Sequence, residues 1–246
     1  MSEQLAPFIS MLPAAAQELV RDQASRLLAQ PAGELSVKLV VGLALAAWSA
    51  TAATKALFDA LNVIYDEDEK RSFVKLNAVA LATTLALAVL MVLAISVIAV
   101  IPAILARAPF GPGLETLIAW LRWPLLYGIA TFGIAALYRI GPSRRAARVR
   151  WSLPGAALGA GLWMIASALF SLYASSFTDY SASFGSLASV IVFMTWMWLT
   201  AVALLMGAEF AAEIEHQTAR DTTTGAPKPM GARGANMADT VGAAQN

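Results

Sequence analysis

Long charge-free apolar runs alternate with short charged connectors along this chain. Leu76–Ala106, Trp151–Thr178 and Tyr180–Ala208 contain no Asp, Glu, Lys or Arg, and the stretch between Arg122 and Arg139 is shorter but equally clean. A helix crossing about 30 Å of hydrocarbon needs roughly 20 mostly apolar residues. The pattern therefore predicts an all-α, polytopic transmembrane helix bundle with about five spans. They are expected at 37–58, 77–101, 117–138, 153–175 and 186–209. The first is the weakest, because Lys38 and Lys55 bracket only 16 uncharged residues. Lysine can snorkel to an interface, so the span is kept. The third carries Arg122 and Pro124 near its start, where proline is tolerated in a helix.

The polar remainder sets the organisation. Residues 37–213 form the bundle. Residues 1–36 are expected to be a periplasmic segment, with 14–30 an amphipathic helix whose apolar positions are Leu19, Val20, Leu27 and Leu28. Residues 214–246, dominated after 217 by Thr, Gly, Ala and Pro, are expected to be a disordered cytoplasmic tail. The N-terminus does not read as a signal peptide: Glu3 is acidic, no Lys or Arg precedes Arg21, and Pro7 and Pro13 interrupt the apolar run. Basic residues orient the bundle. Lys70, Arg71, Lys75, Arg139, Arg144, Arg145, Arg148, Arg150, Arg220, Lys228 and Arg233 fall on one side. Arg21, Arg26, Lys38, Arg107 and Arg122 fall on the other. The richer side is expected in the cytoplasm of a bacterium, with the C-terminus there and the bundle in the inner membrane. Five spans then place residues 1–36 outside, with no preceding helix to translocate them, which points to a missing upstream span.

Composition narrows the chemistry. The chain is 59% hydrophobic and 13% charged, with formal net charge +1. No global field for nucleic acid exists, and none is expected as a partner. Cysteine is absent and His216 is the single histidine. Thiol catalysis and multi-histidine metal sites are excluded, and no cofactor or metal is expected. Asp66-Glu67-Asp68-Glu69 matches no spaced calcium loop and reads as a solvated acidic turn.

Several polar residues remain as candidates. Asn62 and Tyr65 lie just past the first span, where Asn62 is placed to cap or cross-link helices. Arg139 ends the third span before a Gly141-Pro142 stop. It is positioned for an anionic headgroup or a topology anchor. Arg144, Arg145, Arg148 and Arg150 read as an anionic-lipid or topology cluster, each worth roughly 1 kcal/mol near an anionic leaflet. Ser167, Ser171 and Ser175 recur every four residues and, with Tyr173, form a polar stripe in the fourth span. Such a stripe suits tight helix packing or a water- or substrate-lined surface. Glu209 and Glu213 share a helical face near the end of the last span, and an intramembrane acid is a functional candidate by default. Trp120 and Trp123 suit one aromatic belt and Trp151 the other, with Trp48, Trp163, Trp196 and Trp198 deeper.

An ordered set of blocks then carries a resemblance. It comprises Leu137-Tyr138-Arg139-Ile140-Gly141-Pro142-Ser143-Arg144-Arg145, Trp151-Ser152-Leu153-Pro154-Gly155-Ala156, and Phe170-Ser171-Leu172-Tyr173. Phe184-Gly185-Ser186-Leu187 and Trp196-Met197-Trp198 follow, leading into Gly207-Ala208-Glu209, while Ala60-Leu61-Asn62-Val63-Ile64-Tyr65 lies upstream. From about Val40 to Glu213 the chain resembles the YihY/BrkB family of inner-membrane proteins, historically labelled ribonuclease BN. The resemblance implies a six-helix bundle with both termini cytoplasmic, whose first helix has no counterpart here. Together these readings lead to the expectation of transporter- or scaffold-type handling of a lipid or amphiphile. An envelope structural component without turnover is the alternative. A ribonuclease is disfavoured, since His216 stands alone and the acids are contiguous. The lipid bilayer, including anionic headgroups, is the expected partner. Oligomeric state is left open.

Overall fold

A computed structural model describes residues 32–105, 111–175 and 186–242. The amphipathic helix expected at 14–30 lies outside the described residues, as does most of the segment 1–36. Five long helices dominate. They are α1 (Ala32–Ile64), α2 (Phe73–Leu105), α3 (Pro112–Ile140), α4 (Val149–Ser175) and α5 (Ser186–His216), with a short α6 (Asn236–Asp239) in the tail. Each of the five is long and apolar enough to cross a membrane, over Val37–Ile64, Phe73–Ile98, Thr116–Ile140, Val149–Ala174 and Val190–His216. The chain is a multi-pass membrane helix bundle, and the five expected spans are all present. In hydrocarbon every backbone N–H and C=O must be bonded within its own segment, which is why these runs are helical.

Consecutive helices pack side by side, and α1 meets α5 to close the ring. The tightest seam joins α4 to α5. A Cβ on Gly207 would lie 2.6 Å from Gly155 O and 2.7 Å from Gly159 Cα. A Cβ on Gly155 would collide with Gly207 O and Ala211. The two backbones therefore touch only because neither position carries a side chain. Ala156, Ala208, Ala211 and Ala212 are buried along the same contact. Close approach of small residues is how helices associate in lipid, where hydrophobic burial supplies little drive. Tyr138 of α3 reaches the seam and donates its hydroxyl to Leu204 O.

The core is off-centre. Its large members, Phe58, Leu61, Tyr65 and Tyr138, gather at the end where α1 meets α2 and α3 meets α4. Away from that end the outer faces are apolar and exposed, as lipid-facing surface should be: Trp48, Leu85, Met91, Leu169, Phe193 and Trp198 all point outward.

Four helices run past their expected ends, to Ile64, Leu105, Ile140 and His216. The larger difference concerns residues 214–242. Residues 214–216 complete α5, and residues 217–242 fold back onto the connectors instead of forming a disordered tail. Composition argued for disorder because the segment has little to bury. Its order comes from hydrogen bonds to partners far away in sequence.

Candidate functional site

The connector end is built from three pieces: the loop 65–72, the loop 141–148 and the tail 217–242. The first begins with a helix stop. Glu67 N donates to Asn62 O at 2.8 Å and Asp66 N to Val63 O at 3.1 Å. This is the paired C-terminal bonding pattern that needs a left-handed residue, and Asp66 takes that role at φ 51°. Aspartate tolerates this conformation better than most residues. The turn sends the acidic run back across the end of α3.

Asp66, Glu67 and Glu69 each have a defined partner there. Arg71 donates to both oxygens of Glu69, at 2.8 and 2.6 Å, and to Ile140 O and Gly141 O at 3.1 and 2.7 Å. Its guanidinium, 5.0 Å above the Phe58 ring, satisfies the last carbonyls of α3 and complements the negative end of that helix. The hydrogen bonds from Arg71 hold the Glu69 carboxyl down at about 2. Asn62, buried at 5% exposure, accepts from Ser143 N at 2.7 Å and donates to Glu69 at 3.2 Å. Glu67 pairs with Lys70 at 2.6 Å and accepts from Asn236 N at 2.7 Å. Asp66 accepts from the Asn236 amide. The acidic turn is thus an organised junction and not simply a solvated loop.

The second connector carries an ion pair sealed from solvent. Arg144 Nη2 lies 2.9 Å from Glu215 Oε2, with the two side chains 1% and 2% exposed. The guanidinium carbon lies over Tyr65, 4.0 Å from the ring centre. Glu215 accepts from the buried hydroxyl of Thr222. Burial pushes the Tyr65 phenol above its usual range, against the opposing pull of Arg144. Four chain regions converge on this group: the end of α1, the 141–148 connector, the end of α5 and the tail at Thr222.

The tail is then strapped on. Arg148 N donates to Thr222 O at 2.8 Å and Thr224 N to Ala146 O at 3.0 Å, forming a one-rung antiparallel bridge between Ala147 and Thr223. Arg148 also donates to Thr223 O at 2.9 Å. Gly225 sits at φ +97°, where a side chain would be strained and would strike the Arg145 guanidinium. Arg233, 5% exposed, donates to the carbonyls of Ala219, Arg220, Lys228 and Ala238. Asp239 accepts from the backbone of Gly231, Arg233 and Gly234. Burial alone would raise the Asp239 carboxyl, but these N–H groups outweigh it and hold it low.

A second polar group lies along the α4–α5 seam. Trp163 Nε1 donates to Thr200 Oγ1 at 3.2 Å and Trp196 Nε1 to Ser167 Oγ at 3.3 Å. The two indoles are 6.5 Å apart, and all four residues are half-buried. On the α3 side, Tyr127 donates to Ala157 O at 2.8 Å.

The structure redistributes the expected candidates. Asn62, Tyr65 and Arg144 do come together, at the connector end. Arg139 donates to Ala147 O at 2.8 Å and so braces its own connector. Arg145 and Arg148 engage the tail, while Arg150 is exposed over the Trp151 ring at 5.5 Å. Glu209 and Glu213 are exposed and do not face the bundle interior. Ser167 is in the seam, but Ser171 and Tyr173 are exposed, and the Ser175 side chain lies outside the described residues. The four-residue repeat drifts around the helix, so Ser167 meets α5 while Ser171 faces outward. Glu215 was missed. Its signal is the run Ala208, Ala211, Ala212, Glu215, which marks one face at helical spacing and places the acid where its neighbours are small and buried.

With this geometry in place, comparison with known proteins is direct. A model of the family described as Virulence factor BrkB matches residues 1–231. The chain belongs to the BrkB family. Among BrkB relatives, the ribonuclease-like protein YfkH of Bacillus subtilis is 33% identical over 204 residues, 81% of this chain and 73% of that protein. A UPF0761 membrane protein of Pseudoalteromonas translucida is 33% identical over 98 residues, 40% of this chain and 32% of the relative. Another, from Pseudomonas aeruginosa, is 37% identical over 97 residues, 39% of this chain and 22% of the relative. The chain thus spans a third or less of these UPF0761 relatives. No solved structure matches the chain.

Proposed function

We propose that this BrkB-family chain is a non-enzymatic inner-membrane protein that handles a lipid or other amphiphile in a transporter- or scaffold-type role. In this reading the connectors and the C-terminal tail face the cytoplasm, where the arginine-rich loop belongs by the positive-inside rule. The observation that carries the reading is the half-buried ladder Trp163–Thr200 and Trp196–Ser167 on the α4–α5 seam. Indole and hydroxyl pairs at span depth offer a polar track beside lipid, and polar groups at such depth are retained for packing or passage. Exposed Arg150 and Lys75 at the connector end are available to anionic headgroups.

Phosphodiester hydrolysis fits the geometry poorly. Each acid of the 66–69 turn except exposed Asp68 is held by a partner. Among the described residues no three His, Cys, Asp or Glu side chains converge to hold a metal ion. The word ribonuclease belongs to the name of the Bacillus subtilis relative.

Lipid flux in proteoliposomes tests the proposal. Ser167→Ala with Thr200→Val, which keeps the indoles but removes their acceptors, should lower flux about tenfold if passage follows the seam. Unchanged flux would remove the reason for choosing it. The interlocked connector end favours the alternative of an envelope component without turnover; absence of any flux by the wild-type chain would select that reading.

A further inference from the structure

The α1–α2 seam holds a lysine inside a membrane span. By the helix rise, Lys55 lies about 14 Å from the end of α1 at Ile64. Its Nζ donates to Asn77 Oδ1 at 2.9 Å, and Asn77 Nδ2 donates to Phe73 O at 2.7 Å. The second bond fixes the amide so that its oxygen faces the lysine. Asn77 stands about one turn into α2, so the ammonium reaches from mid-helix toward the connector end, to the depth where headgroups begin.

An ammonium has three donors and Asn77 occupies one. Among the described residues no carboxylate pairs with Lys55. Yet Asp59 sits one turn further along the same helix, exposed. A lysine and an aspartate four apart are close enough to interact. Here the lysine turns to an amide instead, leaving one open charge of each sign a helical turn apart. Ala52 and Ala56 beside them are exposed and short, which leaves room on the lipid side. Open charges at this depth are costly unless a ligand or the interface satisfies them.

We propose that Lys55, Asn77 and Asp59 form a binding site for the headgroup of a zwitterionic, primary-amine phospholipid. The phosphodiester oxygen accepts from Lys55 Nζ, which Asn77 holds in place. The lipid's ammonium donates to the Asp59 carboxylate. A quaternary amine has no N–H to donate, and a glycerol headgroup has no cation, so both fit less well. The site is separate from the α4–α5 seam and does not rest on it.

The test uses the full chain, stripped of lipid in detergent and titrated with phosphatidylethanolamine, phosphatidylcholine or phosphatidylglycerol of the same acyl chains. Native mass spectrometry counts the bound lipid. The ethanolamine lipid should bind about tenfold more tightly than the other two, a difference typical of one good charged contact. Lys55→Gln should weaken binding of all three lipids alike, Lys55→Arg should keep most of the binding, and Asp59→Asn should make ethanolamine and choline lipids equal. Soluble glycerophosphoethanolamine should not displace the lipid, since the acyl chains contribute to binding. Equal retention of all three lipids by the wild-type chain would overturn the proposal. So would unchanged selectivity in Asp59→Asn, or displacement by the soluble headgroup.

Discussion

Two seams of this bundle solve the same problem in different ways. Between α4 and α5, Gly155, Gly159 and Gly207 let the backbones touch, and buried alanines fill the rest. Between α1 and α2 contact depends on polar side chains: Thr54 and Thr84 hydroxyls meet at 2.8 Å, and Lys55 meets Asn77. Close packing gains many weak contacts that cannot be replaced one by one. A polar pair in a membrane is worth little on average, because the separated helices find other partners. The α4–α5 seam should therefore be brittle and the α1–α2 seam tolerant.

The sharpest way to break this contrast is Gly207→Leu. The new side chain has no room against Gly155, Gly159 and Tyr138. Overpacking typically costs about 1–3 kcal/mol where side chains can yield, and here two backbones must separate, so the cost should be larger. Loss of a monodisperse peak in size-exclusion chromatography is the expected result.

Next in size is the sealed ion pair at the connector end. Glu215→Ala strands a sealed guanidinium and should cost about 3–5 kcal/mol. Arg144→Met combined with Glu215→Leu should recover most of that, since two apolar groups need no partner. Thermal midpoints of the three proteins in one detergent measure this.

Acid gives a smaller effect. Glu69 titrates near 2 in the folded chain, below its usual value of 4.5. A lowered carboxylate contributes stability that is fully present above about pH 4.5 and lost as pH falls toward 2. The thermal midpoint of the wild-type chain should drop over that window, and the drop should be shallower in Glu69→Gln.

The smallest effect belongs to the α1–α2 seam. Thr84→Val removes the contact with Thr54 and should cost about 0.6 kcal/mol. A loss as large as that of Gly207→Leu would erase the distinction between the seams.

The spans were legible because a charge-free run of bilayer length has few other uses. Their ends were not. Hydropathy stops near residue 58, but α1 continues because Leu61, Asn62 and Tyr65 pack onto the second connector, and nothing local announces that partner. The acids at the end of α5 show the same limit. Glu209 and Glu213 drew attention as intramembrane carboxylates, whereas Glu215, two residues on, faces inward. Only its phase relative to Ala208, Ala211 and Ala212 distinguishes it. The tail was least legible. Its order rests on Arg233 and Asp239 gathering backbone groups, and on Asn236 reaching Asp66 about 170 residues away. Composition does not register such contacts.

The central claim is that connectors and tail form one folded unit at a single end of a membrane bundle. The natural chain has no cysteine, so Asp66→Cys with Asn236→Cys gives a clean pair at a contact that only this arrangement creates. In native membranes under mild oxidant, the account predicts near-complete intramolecular cross-linking of the pair, with neither single variant forming an intramolecular link. A pair that stays reduced and reacts freely with a bulky maleimide would contradict it.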